Sequence, residues 1–246
     1  MANKPVDVMS TVPNLEQELL ILALKAADTQ DSYAAIELLE GHEPVLAAAV
    51  YEQVQLECYW KRKDLPSVVA LSRAGIQFCL GNALKANDPK TAGAFRETAK
   101  GLAYNLASFT WTGWDEAGIV VTSADLKAGQ DAARLNLRLA EELKRPAKGK
   151  ANAHWILGAH ELAVNRLPEA KEAFHRGKTH AVLGGETLME QMFEGYSLLT
   201  EVLDSRDNAE AKRAFDDVVK ALNAEGSEDA REYARQLTVA LTVFSR

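Results

Sequence analysis

Residues 151–181 read ANAHWILGAHELAVNRLPEAKEAFHRGKTHA. Apolar residues recur at helical spacing on both sides of Asn165-Arg166-Leu167-Pro168, which predicts two amphipathic helices joined by a tight turn. Gly158 marks a close-packing point on the first helix. A helix pair of this size cannot bury its apolar face alone, so it is expected as one layer of a stack.

The rest of the chain extends the same pattern. Residues 1–13 form a short lead ended by Pro13, and Asn14, with Gln17 three residues on, caps a helix carrying Leu15, Leu19, Leu22 and Ala26. Further helices are expected from Asp31 to Leu39, from Pro44 to Cys58, from Asp64 to Leu80 and from Pro89 to about Trp111. Thr110–Gly113 reads as a turn, and Trp114–Val121 as a short helix. Thr122 or Ser123 caps a longer helix to about Leu143, which Pro146 and Gly149 end. The last helices are expected at 151–164, 167–182, 186–203, 208–223 and 228–244. The β-branched run Ile119-Val120-Val121 is too short to argue for a sheet, whereas Ala and Leu dominate throughout. The expected class is therefore all-α, with about eleven helices. No polar linker divides residues 14–246, which read as a single domain.

Composition narrows the function. The chain has 28 basic and 35 acidic residues, a net charge of −7, which supports solubility and argues against a general nucleic-acid or anionic-membrane binder. Cys58 and Cys79 sit in apolar helical patterns and read as free buried thiols. The first residues carry no apolar signal core, and no apolar run is long enough to span a bilayer, so a cytoplasmic location is expected.

Leu157 and Gly158 on the first helix, followed by Ala170, Phe174 and Gly177 on the second, form a small-large-small packing pattern. In these positions the pair resembles the tetratricopeptide repeat. His154 and Glu161 stand where that family usually has aromatic residues. A second echo places Ala211, Phe215 and Val218 about 41 residues beyond Ala170, Phe174 and Gly177, and Leu65-Pro66-Ser67-Val68 repeats the turn and helix start of Leu167–Ala170. The resemblance implies an irregular TPR-like α–α superhelix, an α-solenoid, with a non-solenoidal bundle as the competing arrangement. Leu157, Gly158, Ala170, Phe174, Ala211 and Phe215 would carry its scaffold.

The resemblance also implies a concave groove lined by first helices. By position, its contacts would be Asn152, Trp155, Ala159, Leu162 and Ala163, with Tyr104, Asn105 and Tyr196 as further candidates. Trp155 would be an anchor for an incoming helix or extended peptide, unless it packs against the next layer. Trp155 and Ala159 replace the basic and amide residues with which some family members clamp a C-terminal carboxylate. The expected partner is an unidentified protein or peptide. Leu237, Leu241 and Phe244 on the final helix would either support a homodimer or cap their own core.

Chemistry-bearing motifs are sparse. His154 and His160 are six residues apart, and His175 and His180 five, so neither pair shares a helix face cleanly. His160-Glu161 does not extend to HExxH, and Gly184-Gly185 lacks the lysine and spacing of a phosphate loop. No catalytic residue, metal or cofactor is expected, although a zinc site assembled across two helices is conceivable. Glu186, Glu190, Glu194 and Glu201 form an acidic stripe that reads as a solvated face or as a contact for a basic partner. The expected role is non-catalytic protein or peptide binding, as an adaptor or scaffold. The alternative is a small-molecule- or metal-binding helical-bundle enzyme, its pocket bordered by Thr110–Trp114 and the histidines between 154 and 180.

Overall fold

Capping side chains open most helices of this chain. A computed structural model describes residues 12–205 and 207–246. Its helices are α1 (Val12–Thr29), α2 (Ser32–Glu40), α3 (Pro44–Trp60), α4 (Leu65–Lys85), α5 (Pro89–Phe109), α6 (Ser123–Glu142), α7 (Ala147–Ala163), α8 (Leu167–Gly184), α9 (Thr187–Asp204), α10 (Ala209–Glu225) and α11 (Glu228–Phe244). Among the described residues there is no strand.

Asp31 accepts a hydrogen bond from the Ala34 amide at the start of α2, and Asp64 does the same for Ser67 at the start of α4. The Thr122 hydroxyl accepts from the Asp125 amide while the Asp125 carboxylate accepts from the Thr122 amide, a reciprocal capping box that opens α6. Asn208 and Ser227 cap α10 and α11. At the other ends, Gly185 (φ 69°) and Gly226 (φ 89°) adopt the left-handed conformation that stops α8 and α10.

The described residues form two compact units, divided between Leu102 and Ala103, with the boundary inside α5. In the first, α1 packs on α2 and α3, and α4 packs on α2 and α3. Tyr51, Val54, Leu71, Cys58, Cys79 and Leu102 lie in its core. The buried Gln55 amide donates to the Ser72 hydroxyl at 2.6 Å and to the Leu102 carbonyl at 3.1 Å, so a polar side chain is accommodated there without losing its donors.

In the second unit each helix from α6 to α11 packs on its neighbour in sequence, and α11 returns to α9 and to the turn after α5. This is the consecutive-pair packing of an irregular α-solenoid. Its core includes Trp111, Leu139, Ile156, Phe174, Phe193, Tyr196, Phe215 and Leu237, each burial of such a side chain contributing roughly 1.5–3 kcal/mol.

Three local expectations change. The segment Trp114–Val121 is not a helix: a single 3-10 turn spans Thr112–Trp114, after which Asp115 (φ 49°) and Gly118 (φ 83°) redirect the chain. The Trp114 indole N–H donates to the Ser108 carbonyl at 2.8 Å, tying this loop to the end of α5. Gly149 breaks nothing, because α7 begins at Ala147 directly after Pro146 and contains it. Helix α1 already includes Pro13 and Asn14, while the lead up to residue 11 and the proposed Asn14 cap lie outside the described residues.

Candidate functional site

The α7–α8 hairpin is the centre of the second unit, and glycines set its spacing. A Cβ at Gly158 would lie 2.6 Å from the Phe174 ring, and one at Gly177 would lie 2.2 Å from the Phe193 ring. Both contacts are far closer than packed atoms allow, so α7 meets α8, and α8 meets α9, through positions that admit no side chain. Phe174 in turn stacks on Tyr196 at 4.9 Å between centroids. Leu157, Gly158, Ala170 and Phe174 thus sit along the α7–α8 pair, with all but the half-buried Leu157 enclosed; Ala211 and Phe215 are buried on α10.

Trp155 is 5% exposed and lies edge-on to Trp111 at 5.7 Å and to Tyr196 at 6.2 Å. Trp111 adds an N–H donated to the Ala159 carbonyl at 2.8 Å. Ala159 and Leu162 are buried as well, while Asn152 and Ala163 are half-buried. A partner would reach Trp155, Ala159 or Leu162 only if these rings moved. Tyr196 is fully enclosed, whereas Tyr104 and Asn105 are half-buried. Leu237 packs where a Cβ on Gly195 would fall, and Phe244 lies 6.1 Å from Trp111, so both contribute to the interior of their own unit.

Two polar side chains near the end of α7, His160 and Glu161, are enclosed and have structural partners. Glu161 has a side chain only 8% exposed and pairs with Arg134 of α6 at 3.2 Å and with Arg166 of the turn. His160 is fully buried; its Nε2 lies 2.8 Å from the Ala107 carbonyl, which can only accept, so Nε2 carries the proton. Burial holds His160 down to a pKa of about 4, which keeps the ring neutral. Its close approach is possible because Gly129 has no Cβ, which would sit 2.4 Å from the ring.

An open groove of about 800 Å³ runs between α8 and α9. Its α8 wall carries Lys171, His175, Thr179, Val182 and Leu183, and its α9 wall Glu194, Ser197 and Glu201. Val182 and Leu183 are 54% and 73% exposed, an apolar pair facing solvent at one end of α8. Lys171 donates to Glu201 and Lys178 to Glu194, at 2.7 and 2.6 Å. Glu186 pairs with Lys148 at 2.9 Å. Three members of the acidic stripe are therefore matched by lysines of the preceding helices.

On the other side of α8, His154 and His180 stack at 5.5 Å with their rings 16° from parallel. The Glu141 carboxylate completes the cluster, and the ligand-capable atoms of all three lie within 4.8 Å of one another. Burial, reinforced by His180 and Arg176, lowers the His154 pKa to about 4. Its Nδ1 is buried without a hydrogen-bond partner, a cost of roughly 1–3 kcal/mol for a group that nothing satisfies. Spacing within single helices conceals this pair, because His154 and His180 belong to different helices. The antiparallel packing of α7 on α8 is what brings them together.

Fold and surface together define an all-α protein of consecutively packed helices with an open interhelical groove. The chain matches no family model, no curated protein and no solved structure. No described helix is long and apolar enough to cross a membrane.

Proposed function

We propose that this chain is a non-catalytic adaptor that binds a protein or peptide segment along its TPR-like helical layers, with the α8–α9 groove as the contact surface. The observation that carries the reading is the exposed Val182-Leu183 pair at the edge of a groove large enough for several residues of a partner chain. Apolar side chains of the partner would cover this pair, and the Lys171–Glu201 and Lys178–Glu194 pairs offer polar groups beside it. Trp155, Ala159 and Leu162 are enclosed and would act as packing within the unit rather than as contacts.

The test places a photo-crosslinking amino acid at position 183, with position 84 as the control, because Leu84 is 83% exposed but belongs to the first unit. Irradiation in lysate of the producing cells should yield a discrete protein adduct at 183 and not at 84. Excess unlabelled protein should compete it away, and Val182→Glu should abolish it. Equal adducts at both positions, or none at 183, would remove the groove as the binding surface.

A further inference from the structure

Three successive helices of the second unit each present one metal-binding side chain to the same point. Glu141 lies in the last turn of α6, His154 in the middle of α7 and His180 in the last turns of α8. We propose that Glu141, His154 and His180 form a binding site for one divalent transition-metal ion of the zinc class. This inference does not rest on the groove reading.

The donor chemistry selects the ion. Two imidazoles and one carboxylate suit zinc and its borderline neighbours, whereas calcium and magnesium favour all-oxygen shells. Ligand bonds of about 2.0–2.2 Å in a tetrahedral shell place donors roughly 3.5 Å apart. The observed limit of 4.8 Å thus calls for a contraction of about 1 Å, which torsions of the half-buried His180 and the exposed Glu141 supply.

A second observation points to a ligand independently of the cluster. His154 is only 7% exposed, yet its Nδ1 has no hydrogen-bond partner. Glu141 is exposed and His180 half-buried, so water or a small anion can reach the ion as a further ligand. Three protein ligands and an accessible position form the open coordination shell that zinc adopts when it is not purely structural.

Two cations oppose the site. Lys150, one helical turn before His154 on α7, donates to the Glu141 carboxylate at 2.6 Å. Arg176, one turn before His180 on α8, adds positive potential at His154. An incoming ion must share Glu141 with Lys150 or displace it, so Lys150 acts as a resident competitor. This gives the site a signature that scattered surface histidines lack: removing a cation at position 150 strengthens metal binding.

The experiment uses the full chain without a histidine tag, stripped with a chelator and titrated with Zn²⁺ by calorimetry and with Co²⁺ by visible absorption. One ion per chain is expected, with Co²⁺ bands of a four- or five-coordinate nitrogen–oxygen shell. Glu141→Gln and His180→Gln should each weaken Zn²⁺ binding by about 10-fold or more, the scale seen when a metal's surroundings are disturbed. Neither position is fully buried, and far-UV circular dichroism verifies that both variants keep their helix content. Lys150→Met should tighten binding several-fold. Affinity indifferent to Glu141→Gln and His180→Gln, unchanged or weaker binding in Lys150→Met, or absence of binding at submillimolar Zn²⁺ would each overturn the assignment.

Discussion

His160 shows what a single enclosed residue contributes. Its folded pKa of about 4 lies below the ordinary value of 6.5, because burial disfavours the charged ring, with Arg134 adding in the same direction and the Ala107 carbonyl partly offsetting it. The unfolded chain therefore binds more protons than the folded one between these values. The associated stability is fully present above pH 6.5 and is lost as the pH falls towards 4, a difference of about 2 kcal/mol at pH 5. Urea denaturation at pH 7.5 and pH 5 should show this loss. The variant His160→Gln, whose amide can still donate to Ala107, should show a shallower pH dependence than the parent. His154 titrates in the same direction and remains in both proteins, so the comparison isolates His160.

At the level of elements, ion pairs differ sharply in what they hold. Lys178–Glu194 and Lys171–Glu201 join α8 to α9, but their side chains are a third or more exposed, so each contributes at most about 1 kcal/mol. Glu161 is another matter: its enclosed carboxylate joins α6, α7 and the α7–α8 turn through Arg134 and Arg166. Glu161→Ala should lower stability by about 1–3 kcal/mol in chemical denaturation, as expected for removing charge-assisted bonds from an enclosed position. Lys178→Ala should change it by less than about 1 kcal/mol. A double-mutant cycle with Arg134→Ala reads the coupling between α6 and α7 directly.

On the scale of the whole molecule, each unit carries its own spectroscopic or chemical reporter. Cys58 and Cys79 both lie in the core of the first unit, and burial pushes their thiols up to about 11 and about 12. Thiolate is the reactive form, so the native protein should be almost inert to a disulfide reagent at neutral pH. Reaction should accelerate only under conditions that open this core, and its rate in low denaturant measures the opening free energy when reclosing outpaces modification. Rapid modification of both thiols in the native protein would show that the core is open. Trp111, Trp114 and Trp155 pack together in the second unit, and in a Trp60→Phe background their emission reports on it.

The amino-acid sequence by itself determined the all-α class, most helix positions and the close approach of Gly158 on α7 to Phe174 on α8. These depend on local spacing, caps and glycines, which are properties of neighbours along the chain. Trp114–Val121 escaped that reading because the Trp114 indole bonds locally to the Ser108 carbonyl and Asp115 and Gly118 take left-handed conformations that no helix continues through. Only the tertiary structure decided that Trp155 is enclosed by Trp111 and Tyr196, that the acidic stripe is met by lysines, and that His154, His180 and Glu141 share one point. Each of these depends on which faces of separate helices meet. Helical periodicity identifies a face, but the packing of its neighbours determines what that face touches.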